Sequence, residues 1–177
     1  MLKEQLDQKI ECRNLLYRRG YLITERCDLN LSVYPFYDNW TINSITDRFN
    51  LYLHKEQHFY SQTESGVTAL LIGHAYNPFT MEFDENIILK DCIHAYINGD
   101  SDFFDKVSEL TGIHLIAIFD KDIVLIVQDC SGVQMCCYGK CNDHTYITSN
   151  CTIVEDIDTP TANKFANDLL NSKSFKH

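Results

Sequence analysis

Val67-Thr68-Ala69-Leu70-Leu71-Ile72-Gly73-His74-Ala75-Tyr76-Asn77 carries more information about the fold than any other part of the chain. Its first six residues are aliphatic or β-branched and show no polar alternation, the pattern of a strand covered on both faces. The turn-prone Thr63-Glu64-Ser65-Gly66 stands just before it, and Leu51-Tyr52-Leu53 reads as an earlier strand, so the front half is expected to be hairpin-like. Tyr21-Leu22-Ile23-Thr24 and Leu29-Asn30-Leu31-Ser32-Val33 read as shorter strands. Leu6 to Leu16 is too polar to assign.

Downstream, the period changes. From Asp84, residues Ile88, Cys92, Ala95 and Tyr96 share one helical face, with Leu89, Ile93 and Ile97 beside it, and Gly99 offers a left-handed stop. Phe104, Val107 and Leu110 predict a second, short helix capped by Asp100 or Ser101. Ile113 to Phe119 and Ile123 to Val127 are nearly continuous apolar strands around Asp120-Lys121-Asp122, again implying a sheet covered on both faces. Gln134 to Tyr138 and Thr145 to Thr148 flank a loop as a second hairpin, and a last helix is expected after Thr159-Pro160, with Phe165, Ala166, Leu169 and Leu170 on one side. The residues alone give an α+β domain with a largely antiparallel sheet.

The 177 residues are the size of one ordinary domain, and no repeat, low-complexity tract or linker divides them, so a single domain over 1–177 is expected. No apolar run reaches the length of a membrane span. Fifteen basic against 25 acidic residues leave a net charge of −10, which argues against nucleic acid or an anionic membrane as partner. Arg18-Arg19 is the one dense basic spot. The charged start Met1-Leu2-Lys3-Glu4 lacks the apolar core of a secretory signal, so a cytoplasmic location and reduced thiols at all eight cysteines are expected.

Gly73-His74-Ala75-Tyr76-Asn77, then Gln128-Asp129-Cys130-Ser131-Gly132-Val133, then Tyr146-Ile147-Thr148-Ser149 follow an order and spacing that resemble the glutamine amidotransferase domain of the asparagine synthetase family. That family's patterns run N-G-E-I-Y-N, R-D-x-x-G-x-x-P-L-Y-Y and A-S-E, and the likeness is clearest over 67–157. The resemblance implies a four-layer α-β-β-α sandwich of the N-terminal-nucleophile hydrolase type. It also implies a site in which a glycine and a neighbouring asparagine donate to the oxyanion formed when an N-terminal cysteine attacks glutamine.

Here Leu2 stands at the chain position of that cysteine, Ile72 replaces the asparagine, Gly73 is kept and His74 replaces a glutamate. Asp84 corresponds to an aspartate that holds the substrate's amino group, or simply caps the helix it begins. Gly73, His74 and Asp84 are therefore the candidate substrate-binding residues. Nothing matches the H-R-G-P-D loop whose arginine clamps the substrate carboxylate; Arg48 is nearest in position and reads rather as a surface arginine. Asp129 and Gly132 are expected to set a strand-to-turn corner. No S-G-G-x-D-S pyrophosphate loop occurs, so adenylation would belong to an ATP-dependent synthetase domain or subunit acting as partner.

The resemblance thus implies a degenerate amidotransferase-like domain that serves as scaffold or regulator, without glutaminase activity and without cofactors. Two alternatives stand beside it. Cleavage after Glu11 would expose Cys12 as a processed nucleophile, although Arg13-Asn14 follow it where a glycine and an apolar strand are expected. A stand-alone module could instead use the old cleft for a glutamine-like small molecule or a peptide. Cys136, Cys137, Cys141, His144 and Cys151 are dense enough to consider for zinc, but adjacent strand residues face opposite ways and no C-x-x-C knuckle is present, so no metal site is expected. His54, His58 and His74 have no triad spacing. Tyr34-Pro35-Phe36-Tyr37 with Trp40 reads as core packing or as an aromatic docking surface.

Overall fold

The computed structural model describes residues 2–160 and Asp168. In chain order the elements are α1 (Leu2–Gln8), α2 (Ile10–Arg13), β1 (Tyr21–Thr24), β2 (Trp40–Ser44), β3 (Asn50–His54), β4 (Phe59–Glu64) and β5 (Val67–Tyr76). They continue with α3 (Glu85–Asn98), α4 (Asp100–Ser108), β6 (Thr111–Asp120), β7 (Ile123–Gln128), β8 (Cys137–Cys141), β9 (His144–Thr148) and α5 (Cys151–Ile157). The strands form two sheets, ordered β2-β3-β1-β9-β8 and β4-β5-β6-β7, with every strand pair antiparallel. No helix among the described residues is long and apolar enough to cross a membrane.

Three apolar layers hold these elements together. Val67, Ala69 and Leu71 of β5 meet Ile88, Leu89 and Cys92 of α3 on the outer face of the four-stranded sheet. Leu70 and Ile72 of the same strand face the other way, against Tyr21, Ile23, Leu51 and Ile147 of the five-stranded sheet. On that sheet's far side, Leu22, Tyr52 and Tyr146 pack with Phe36, Trp40 and Ile153 of α5. The result is the expected α-β-β-α sandwich, with its last layer built from short helices and the loop through Phe36. The continuous apolarity of β5 and β6 follows from this, because each strand alternates between two dry interfaces.

The front half departs from the expected hairpin. β3 and β5 lie in different sheets, and the partner of β5 across the Ser65-Gly66 turn is β4. Ser61, Gln62 and Thr63 hide this strand from a hydrophobic reading because β4 is a half-exposed sheet edge. Leu29 to Val33 forms turns rather than a strand; Leu29 and Leu31 merely pack against the outer core. Phe36 and Trp40 are buried there too, so the aromatic cluster is mainly core. β7 is an edge strand with partial burial, not a fully covered one.

Among the helices, α3 matches its expected face and is capped by the Asp84 side chain, which accepts from the Asn86 N–H. α4 buries Phe103 and Val107, an i, i+4 pair, and leaves Phe104 exposed; its N-cap is Gly99, not Asp100 or Ser101. α5, capped by Asn150, was not expected. The helix expected after Thr159-Pro160 lies outside the described residues.

At one end of the central sheet the backbones of β5 and β6 come unusually close. A Cβ on Gly73 would stand 2.2 Å from the Ile113 carbonyl oxygen, and one on Gly112 would stand 2.3 Å from that of His74. Both glycines also have positive φ, +100° and +123°. Any side chain there must strain the backbone and push a strand away. Gly73→Ala and Gly112→Ala should each lower unfolding free energy by at least about 2 kcal/mol in denaturant titration, whereas Gly139→Ala, with open space around it, should stay within about 0.5 kcal/mol.

Candidate functional site

The interlocked glycines lie where the sheets open. Along β5, Leu70 and Ile72 are fully buried between the sheets, while His74, two residues on, is exposed and lines the cleft at the strand's end. Here the start of β1, the ends of β3, β5 and β9, and the start of β6 converge on a cleft of about 570 Å³. Arg19, Gly20, Ser149 and Asn150 line it from one sheet, Gly73, His74 and Ile113 from the other. Gln57 and His58, in the crossing between sheets, form its floor, and Val133 to Met135 form its lip.

Two features of the five-stranded side fix this geometry. Gly20 is required by close approach, since a Cβ there would lie 2.7 Å from the Tyr17 carbonyl and 3.1 Å from both Trp40 and Ser149. Ser149 then ties the end of β9 to the start of β1, its Oγ accepting from the Tyr21 N–H at 3.1 Å. Tyr21 in turn donates its hydroxyl to the Met135 carbonyl at 2.6 Å, anchoring the lip.

The lip is shaped by Asp129. Its carboxylate accepts from the N–H groups of Ser131, Val133 and Gln134 and from the Ser131 hydroxyl, while its own N–H bonds the His114 carbonyl. Burial works against the charge, but the bonds from Ser131, Gln134 and Val133 prevail and hold the carboxyl well below its ordinary range. This is the corner expected of Asp129, with Gly132 taking the positive-φ position inside it.

Gly73 and His74 line the cleft, but the Gly73 N–H is not available to a ligand. It extends the β4–β5 ladder to the His58 carbonyl at 3.0 Å. The Gln57 amide satisfies both of its neighbours with its nitrogen on the Arg19 carbonyl, at 2.9 Å, and its oxygen on the same Gly73 N–H, at 3.3 Å. One side chain thereby joins the two sheets across the floor. Ile72 is wholly buried between the sheets and offers no donor. Asp84 is occupied in capping α3 and does not line the cleft; nor does its neighbour Glu85, whose Oε1 is 3.0 Å from His74 Nδ1. That contact directs Nε2 of His74 to any further partner. The His58 ring stands 5.4 Å from the His74 ring.

Leu2 and Cys12 lie elsewhere. Leu2 begins α1, and Cys12 sits within α2 and does not line the cleft. Gly20 and the apolar Tyr21–Thr24 strand follow Arg19 at the edge of the cleft. Arg48 is outside the cleft, its Nε 2.7 Å from Glu25. Cys136 packs between the sheets and Cys141 on the outer face, while Cys137 and Cys151 hydrogen-bond each other. Arg19, Gln57 and His58 escaped the sequence reading; Gly20 before an apolar run was the signal that could have located the first.

No protein-family model matches the chain, and no curated protein matches it. Among solved structures, glutamine phosphoribosylpyrophosphate amidotransferase from B. subtilis, in complex with ADP and GMP, is similar over 81% of this chain at 10% identity, with a TM-score of 0.45. The chain spans 39% of that protein's chain.

Two buried histidines flank the site, His54 beneath Trp40 and His114 paired with Gly73, and burial depresses the pKa of each. The unfolded chain then binds these protons more tightly, so stability is full above the ordinary imidazole value of about 6.5 and falls as pH drops through it. Asp129 acts lower, its stabilisation present above the carboxylate range and lost below it. The melting temperature should therefore decline between about pH 7.5 and pH 5.5, and His114→Phe should flatten part of that slope. An unchanged slope in the variant would remove His114 as a source.

Proposed function

We propose that this chain is a catalytically silent amidotransferase-like domain, acting as scaffold or regulatory partner of an ATP-dependent synthetase domain or subunit in an asparagine-synthetase-like amide-forming system. The motif order of the sequence and the four-layer sandwich support the ancestry. The engagement of the Gly73 N–H by the His58 carbonyl carries the functional reading. A glutaminase of the resembled kind needs a thiolate to attack and donors to receive the oxyanion, and each donor is worth several kcal/mol in the transition state. On this reading Arg19, before Gly20 and the apolar β1, takes the nucleophile's place, an isoleucine replaces one donor, and the other donor is already bonded.

The processed-cysteine alternative loses support from the placement of Cys12. Cleavage after Glu11 would leave seven residues, Arg13 to Arg19, between the new terminus and the glycine at the cleft. A binding role for the cleft itself is favoured by its size, which falls in the range of small-molecule sites. Such a role is compatible with regulation of a partner.

The purified chain should release no ammonia from glutamine, and Cys12→Ala should change nothing. With its synthetase partner, amide formation should run on free ammonia and fall when this chain is withheld. Glutamine-dependent turnover that disappears in Cys12→Ala would overturn the proposal, as would an intact mass showing loss of the first eleven residues together with glutaminase activity.

A further inference from the structure

Arg19 is the one arginine of five for which the described residues provide no ion pair. Arg13 meets Asp7, Arg18 meets Glu56, Arg26 meets Asp28, and Arg48 meets Glu25. Glu56, the acidic residue lining the same cleft, is held by Arg18 at 2.7 Å. The Arg19 backbone is itself constrained, with φ +57° and its carbonyl accepting from Gln57. Arg19 is thus an exposed residue lining the cleft with no ion pair among the described residues, its charge felt by Glu56, in a molecule whose net charge is −10.

The opposite character is found on the other wall. Ile113, Val133 and Met135 line the cleft, and each is more than half exposed. Large apolar side chains gathered beside a cation describe a ligand with a charged head and an apolar body. His74, with Nδ1–H on Glu85, donates Nε2–H to the head as well when it is the imidazolium.

We propose that the cleft binds a small carboxylate-headed ligand with an aliphatic body, its carboxylate on Arg19 and His74 and its body against Ile113, Val133 and Met135. A carboxylate suits the planar guanidinium fork, and its single charge matches the single unpaired arginine. A phosphate would bring further negative charge into a molecule already strongly acidic. N-acylated amino acids and the C-terminal residue of a peptide share this chemistry. The inference rests on the reading of the cleft as a silenced site, and the two fail separately: ammonia release would refute the silence, whereas absence of carboxylate binding would refute only the ligand.

The test is a titration followed by backbone amide NMR, with N-acetyl-leucine, N-acetyl-leucinamide and inorganic phosphate as probes. N-acetyl-leucine should shift the Gly20, Gly73 and Met135 signals, and the amide should bind at least about tenfold more weakly because it lacks the charge. Arg19→Gln should weaken N-acetyl-leucine by about tenfold with its melting temperature unchanged, and Arg19→Lys should recover part of the loss. Val133→Asp supplies an independent perturbation from the apolar wall and should also weaken binding. Equal affinity for acid and amide, indifference to Arg19→Gln, phosphate binding as tightly as N-acetyl-leucine, or no shift at millimolar ligand would each overturn the proposal. Peptides ending in leucine, compared with the free N-acyl amino acid, separate the two sources of the carboxylate.

Discussion

Everything at the open end of the sandwich depends on how closely β5 approaches β6 at Gly73 and Gly112. The carbonyls of Ile113 and His74 occupy the space where these residues would carry Cβ atoms. Because the backbones touch, His74 and Ile113 are held side by side, facing out of the inter-sheet layer. The same approach keeps β5 in register with β4, where Phe59 pairs with Ile72 and the ladder then closes on Gly73. It also delivers His114 to the corner at Asp129, whose N–H bonds the His114 carbonyl at 2.8 Å. A contact between two residues without side chains therefore sets the positions of the cleft's floor, one wall and its lip.

The two sheets contribute differently to that cleft. The four-stranded sheet supplies a rigid wall, since β5 and β6 are buried on both faces up to the point where they open. The five-stranded sheet supplies chain ends, Arg19-Gly20 before β1 and Ser149-Asn150 after β9, which are tied to each other through Tyr21. Gln57 and the Tyr21 hydroxyl are polar links between the halves, as is the Arg48–Asp122 ion pair, while the core between the sheets is apolar and non-directional. Directional bonds at the rim of an oily interface fix the relative placement of groups that hydrophobic packing alone would leave loosely specified.

Strands buried on both faces announced themselves in the sequence. Val67 to Ile72 and Ile113 to Phe119 are apolar without alternation because two cores demand it, and α3 shows its broad apolar face for the same reason. β4 and β2 were hidden because edge and half-exposed strands tolerate Ser61, Gln62, Thr41 and Asn43, which read as loop. Phe103 and Phe104 were interchanged because adjacent aromatics satisfy a helical period about equally, and only packing against Tyr96 and the core chooses between them. Of the site, Gly73 and His74 were legible from a motif, while Arg19 was not. It joins Gly73 at the cleft only through the fold, and fifty-odd intervening residues, a sheet crossing and two preceding helices separate that neighbourhood from anything local pattern records.

If the chain is the silenced amidotransferase-like domain proposed above, the bond from Gly73 to His58 bears on its history. An oxyanion donor that merely lost its partner could be recovered by restoring one residue. A donor absorbed into a strand ladder cannot, because freeing it means breaking a native hydrogen bond and displacing the amide of Gln57 as well. Reversal would demand a new nucleophile, a new side-chain donor and a locally unpaired strand at the same time, none of them useful without the others. In the reading proposed above, the ladder works as a ratchet: once it closed over Gly73, selection could refine the cleft for occupancy, but single substitutions no longer led back to chemistry.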